Sequence, residues 1–109
     1  MTIHKGDIVI VPFPFTDLSN TKIRPAIAVT DQMRKDVVLC QITSKSATDA
    51  HSVELTDADM SSGRLERDSL VRVNKLFTIQ ASEILKVIGS VNPVKLEQIN
   101  THLIHMFRN

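Results

Sequence analysis

The chain has 109 residues, with no tryptophan, no tyrosine and only four phenylalanines. Its core therefore has to be assembled from Ile, Val and Leu with a few Phe rings. The single cysteine, Cys40, excludes an intrachain disulfide. It lies in an apolar run, where a buried small hydrophobe and a reactive thiol are the two readings. No segment is apolar for long enough to span a membrane, and the N-terminus lacks the apolar run of a signal peptide. A reducing cytoplasm is the expected compartment. Charge of one sign is lacking too, because 13 basic and 12 acidic residues leave a formal net charge of +1. RNA binding would then require positive charge concentrated in one groove. There is no Gly-rich phosphate loop, no nucleophile elbow and no zinc motif, so those three chemistries have no foothold.

What is present reads as one domain, residues 1–109, long enough for a modest core. Ile8 to Val11 is a short β-branched run and predicts a buried strand. Pro12 and Pro14 then remove two backbone donors, which should weaken regular pairing. Asp17 to Thr21 is a loop by composition. Ile23 to Val29 predicts a second strand, with Arg24, Ala26 and Ala28 on one face. Those small neighbours should leave room beside Arg24 for a ligand or another chain. Further strands are expected at Val37 to Ser44, Ser52 to Leu55, Leu70 to Val73 leading into Leu76 to Ile79, and roughly Val87 to Val91. Residues 56–69 read as polar and turn-rich, and Ala81 to Leu85 as a helical turn. Asn92 is a good N-cap before Pro93, and Leu96, Ile99, Leu103, Met106 and Phe107 then recur at helical spacing. Many short strands closed by one helix predict a mainly β chain with helices, arranged as a small antiparallel barrel.

Residues 6–29 carry the most information. An apolar strand runs into a Pro-Phe-Pro-Phe elbow, a polar loop follows, and a second strand opens with Arg24-Pro25. Preceding a proline biases Arg24 toward extended backbone. Its planar fork of donors suits two oxygens of one phosphate, which lysine matches poorly. The plain alternative is a surface arginine paired with Asp17 or Asp31. Thr43 and Ser44 are hydroxyls at the end of an apolar strand, although Thr suits any strand and Ser any turn.

With Ile42-Thr43-Ser44 and Val71-Arg72-Val73-Asn74-Lys75-Leu76-Phe77, this early block resembles the MazF/PemK family of toxin endoribonucleases from type II toxin–antitoxin systems. The likeness extends over essentially the whole chain. It implies an SH3-like barrel with a C-terminal α-helix, a homodimer, and metal-independent, sequence-specific cleavage of single-stranded RNA (an mRNA interferase activity). In that chemistry the ribose 2′-hydroxyl attacks the adjacent phosphorus, leaving a 2′,3′-cyclic phosphate and a 5′-hydroxyl. The resemblance places Arg24 and Thr43 on the residues linked to cleavage, with Ser44 as neighbour. It implies no cofactor or metal. A cognate acidic antitoxin is the implied partner, laid over the toxin as a partly disordered segment.

The loops are the expected reading surfaces, because sequence-specific RNA recognition usually addresses splayed bases. Phe15, Thr16, Asp17, Asn20, Thr21 and Lys22 in one, and Lys45 and His51 in the other, are the RNA-binding candidates. Phe13 and Phe15 either stack on bases or pack internally. Arg64, Arg67, Arg72 and Lys75 outnumber Glu66 and Asp68 and form either a basic patch or a solvated mixed face. Relatives place polar residues near the groove where Asn74 and Lys75 fall, so both, with Arg72, are also RNA-binding candidates. His51 is a general-base candidate by residue type. His102 and His105 lack a third metal-binding neighbour, and Asp57 and Asp59 read as turn formers. Two other functions are open on this scaffold. One is a non-enzymatic gyrase-type poison working through Met106-Phe107-Arg108-Asn109. The other is an inactive relative that binds RNA or antitoxin.

Overall fold

The computed structural model describes residues 1–14, 21–44 and 50–108, with the backbone but not the side chains of Pro14 and Thr21. Among these residues there are seven strands: β1 (Asp7–Pro14), β2 (Thr21–Ala28), β3 (Asp36–Ser44), β4 (Ser52–Leu55), β5 (Met60–Gly63), β6 (Ser69–Gln80) and β7 (Lys86–Val91). They form one antiparallel sheet in the order β4-β6-β3-β2-β1-β7-β5. One helix, α1 (Pro93–Arg108), ends the chain.

The sheet has to curl. Laid flat, seven strands at the usual spacing would hold the two edge strands about 29 Å apart. Yet the edge strands β4 and β5 are joined only by Thr56 and the 3₁₀ turn Asp57–Asp59. Such a link reaches at most about 18 Å. The result is a curled half-barrel whose edges are tied by a short link, the mainly β, barrel-like architecture with a C-terminal helix expected from the sequence.

Strand alternation gives the sheet two apolar faces. The inner face buries Ile8, Ile27, Cys40, Ile42, Val53, Leu55, Val71 and Val73, and is capped by Ile99 of α1 with Leu96 and Leu103 beside it. The outer face buries Val9, Val11, Phe13, Ala26, Ala28, Val37 and Leu39 under Ile3, Ala81 and Ile84. Ala26 and Ala28 are therefore covered, and the space expected beside Arg24 does not lie over them.

Helix α1 starts where its capping residues dictate. Asn92 Oδ1 accepts the Lys95 N–H at 2.8 Å, and Pro93 takes the first helical position. Lys95 then reaches back, its Nζ donating to the Glu54 carbonyl at 2.8 Å and lying 3.6 Å from Asp59 Oδ2. The helix is thereby pinned to edge strand β4 and to the link between the edges. Phe107 departs from the expected apolar face, being 71% exposed. Other departures are local. Residues 60–63 form a strand inside the segment read as turns. The expected break at Asn74-Lys75 is a bulge within one long β6, where the partner register passes from Leu76 opposite Cys40 to Arg72 opposite Gln41. Pro12 and Pro14 stay in β1, paired only with β2. The β7 ladder ends at Ile10, so beyond it β1 is an edge on that side, where a missing N–H costs little.

Candidate active site

Two ladders stop near one another, and the space they leave is the site. On one side β1 and β7 part after the Ile10–Lys86 pair. On the other, β2 and β3 are paired only from Ala26–Gln41 to Ala28–Leu39. Pro25 has no N–H to extend that second ladder. Had the register continued, Arg24 would have faced Thr43 across the sheet. Instead the strands splay, and both residues border a cleft of about 1280 Å³.

Ile10, Ile23, Pro25, Val87 and Ile88 supply apolar lining to this cleft. Basic side chains gather around it: Lys22, Arg24, Arg64, Arg67 and Lys86, against Asp57 and Glu66. Among the described residues, an almost neutral chain has thus gathered five cations against two anions around one concavity, an arrangement that suits phosphate binding. Arg24 and Thr43 are half-buried and Ser44 is exposed. Ser44 is held at the margin by its pairing with Ser69 of β6. The hydroxyl and the guanidinium on the walls of this cleft are both donors suited to phosphodiester oxygens.

Among the sequence candidates, Lys22, Arg24, Thr43 and Ser44 come together here, and so do Arg64 and Arg67 of the proposed basic patch. Thr21 opens β2 beside them. Phe15, Thr16, Asp17, Asn20 and Lys45 lie outside the described residues. His51 is exposed and does not line the cleft; its carbonyl accepts the Val73 N–H at 3.0 Å. Arg72 sits in the sheet opposite Gln41 and Ser52. Asn74 and Lys75 occupy the β6 bulge, and Lys75 borders a second, smaller concavity of about 390 Å³ with Phe13 and Phe77. Phe13 packs edge-to-face on Phe77, ring centres 4.6 Å apart, which settles its role as internal packing. Asp31 accepts the Lys5 N–H at 2.8 Å.

Cys40 is fully buried, and desolvation pushes its thiol up to about 12, so it stays protonated and unreactive. Asp59 behaves as a turn former, Oδ2 accepting the Thr56 N–H at 2.8 Å. Among the described residues, no group of three or more His, Cys, Asp or Glu side chains is placed to hold a metal ion, and no helix is long and apolar enough to cross a membrane. Lys86 and Asp57 were not singled out as site residues. Lys86 could have been noticed only by knowing that β7 begins beside Ile10.

A seven-stranded antiparallel half-barrel with one C-terminal helix and a cationic mouth is a MazF-like fold. Solved structures resemble it closely along nearly their whole length. A mycobacterial endoribonuclease in complex with its cognate antitoxin superposes with a TM-score of 0.77 at 18% identity, covering 97% of this chain and 95% of that one. A Mycobacterium tuberculosis MazF toxin gives 0.73 at 21% identity, over 94% and 96%. A MazE–MazF structure from Deinococcus radiodurans gives 0.78 at 15%, over 99% and 97%. At such identities the likeness establishes the fold. No curated protein sequence matches the chain. The family profile of PemK-like, MazF-like toxins of type II toxin–antitoxin systems matches residues 4–107, and the chain belongs to that family.

Proposed function

We propose that this toxin is a metal-independent, sequence-specific endoribonuclease for single-stranded RNA, acting as a homodimer and silenced by an acidic cognate antitoxin. The observation that carries this reading is the shared cleft: Arg24 and Thr43 border one concavity that, among the described residues, is also lined by Lys22, Arg64, Arg67 and Lys86. In the proposed reaction the 2′-oxygen bonds to phosphorus as the P–O5′ bond breaks. The 2′-hydroxyl gives up its proton, and the departing 5′-oxygen gains one. Negative charge builds on the non-bridging oxygens, and Arg24 is the donor placed to stabilise it. A guanidinium offers a planar fork of donors and no acceptor, which suits charge stabilisation. Thr43 donates to a non-bridging oxygen or orients the 2′-hydroxyl, with Ser44 beside it.

The apolar floor and cationic rim also suit an acidic peptide whose carboxylates replace RNA phosphates while its apolar side chains cover Ile23 and Val87, both exposed. This agrees with the antitoxin-bound states of the mycobacterial and Deinococcus structures.

Incubation of the purified protein with a long unstructured RNA in EDTA, followed by end-group analysis, tests the reading. Discrete cuts ending in cyclic phosphates are expected. Exposed Ile104 and Phe107 near the helix end favour a second reading, a poison that grips a protein target through that end. It predicts no RNA cuts, and gyrase-dependent DNA damage in their place.

A further inference from the structure

Residues 64–68 cross the mouth of the half-barrel. They leave β5 at Gly63, which pairs with Gly89 of β7, and enter β6 at Ser69, which pairs with Ser44 of β3. In the sheet order, β7 and β3 flank the β2–β1 pair. The segment is therefore an arch joining the two sides of the cleft, and Arg64 and Arg67 both line that cleft along with Arg24. At one foot, Ser69 Oγ donates to the Arg67 carbonyl at 2.9 Å. Near the other, Asp57 Oδ1 accepts the Leu65 N–H at 2.8 Å. Asp57 opens the 3₁₀ turn whose last residue, Asp59, lies against Lys95 of α1. The arch is thus tied, through one carboxylate, to the turn that joins the sheet edges.

We propose that Asp57 is a positioning residue for RNA: it fixes the arch so that Arg64 and Arg67 hold backbone phosphates from the side opposite Arg24. This rests on the ribonuclease reading above. A carboxylate lining an RNA cleft repels the substrate, and its bond to the Leu65 amide supplies a benefit that offsets the repulsion. The Leu65 bond is exposed, so water replaces it when the carboxylate is removed, and the fold survives while the arch loosens.

The test measures binding of a long unstructured RNA, 2′-O-methylated so that it cannot be cut, together with steady-state cleavage of the unmodified RNA. Asp57→Ala is expected to weaken binding about tenfold at low salt, with KM rising more than kcat falls. Asp57→Asn keeps an oxygen acceptor for Leu65 without the charge, and should bind at least as tightly as the wild type. Arg64→Ala with Arg67→Ala should flatten the salt dependence of binding by about 1.4 in log–log slope, the loss of two phosphate contacts on a single strand. In that background Asp57→Ala should cause no further weakening. Three results would overturn the proposal: unchanged or tighter binding by Asp57→Ala, equal weakening by Asp57→Asn, or a full Asp57→Ala effect without the two arginines. A wild-type chain that binds no RNA would overturn the ribonuclease reading, and this inference with it.

Discussion

Arg24 owes its position to its neighbour. Pro25 cannot donate to β3, the ladder ends, and the guanidinium is left at a splayed strand end and not within a continuous sheet. Geometry then separates arginine from lysine, because a planar fork can hold two oxygens of one phosphoryl group and an ammonium cannot. Arg24→Lys should therefore recover little of the cleavage lost in Arg24→Ala. Recovery of most of the wild-type rate would reduce the role to charge alone. Thr43→Ala should lower single-turnover cleavage about 10- to 100-fold if the hydroxyl orients the reacting group. An unchanged rate would move the role to Ser44 or remove it. The strand-end position of Arg24 was legible in the sequence because the proline that ends the ladder is adjacent in the chain. Asp57 was not, since its partner is a backbone amide eight residues away and any turn-forming aspartate looks the same.

At the scale of elements, β5 and β7 approach each other closely at their glycines. Gly63 has φ +72°, and a Cβ there would lie 2.0 Å from the Ile88 carbonyl oxygen; one on Gly89 would lie 2.2 Å from the Ser62 oxygen. Two facing glycines let the backbones approach where side chains would hold them apart. Gly63→Ala should cost about 3 kcal/mol or more, combining left-handed strain with displacement of a backbone carbonyl. A denaturant midpoint within error of wild type would contradict this. The same strand shows why parts of the fold were hidden. Ser61, Ser62 and Gly63 are all exposed, so β5 carries no apolar alternation, and only its pairing with β7 makes it a strand. Asn92-Pro93, by contrast, announced the start of α1 because capping is local chemistry. Phe107 fits the helical period yet is exposed, and Ile99 is the helix residue that is fully buried. The alternation of β2 was read correctly, but not that Ile3 and Ile84 cover its alanine face.

Across the whole molecule the decisive quantity is where charge lies. A net charge of +1 hides a cleft that, among the described residues, is lined by five cations and two anions. Composition could state only that such a concentration was needed; curling of the sheet achieved it, by bringing β2, β7 and the arch to one mouth. If the antitoxin works by occupying that mouth, a saturating acidic antitoxin peptide should abolish cleavage, and added salt should weaken its hold. Full activity in the saturated complex would contradict inhibition at the cleft.

The most direct measurement compares single-turnover cleavage of one unstructured RNA, in EDTA, by the wild-type chain and by folded Arg24→Ala protein. Losing one preorganised donor predicts a fall of roughly 100- to 1000-fold, with cyclic phosphate ends on whatever product remains. A variant that cuts at close to the wild-type rate would show that the reaction, if it occurs, is not carried by this cleft.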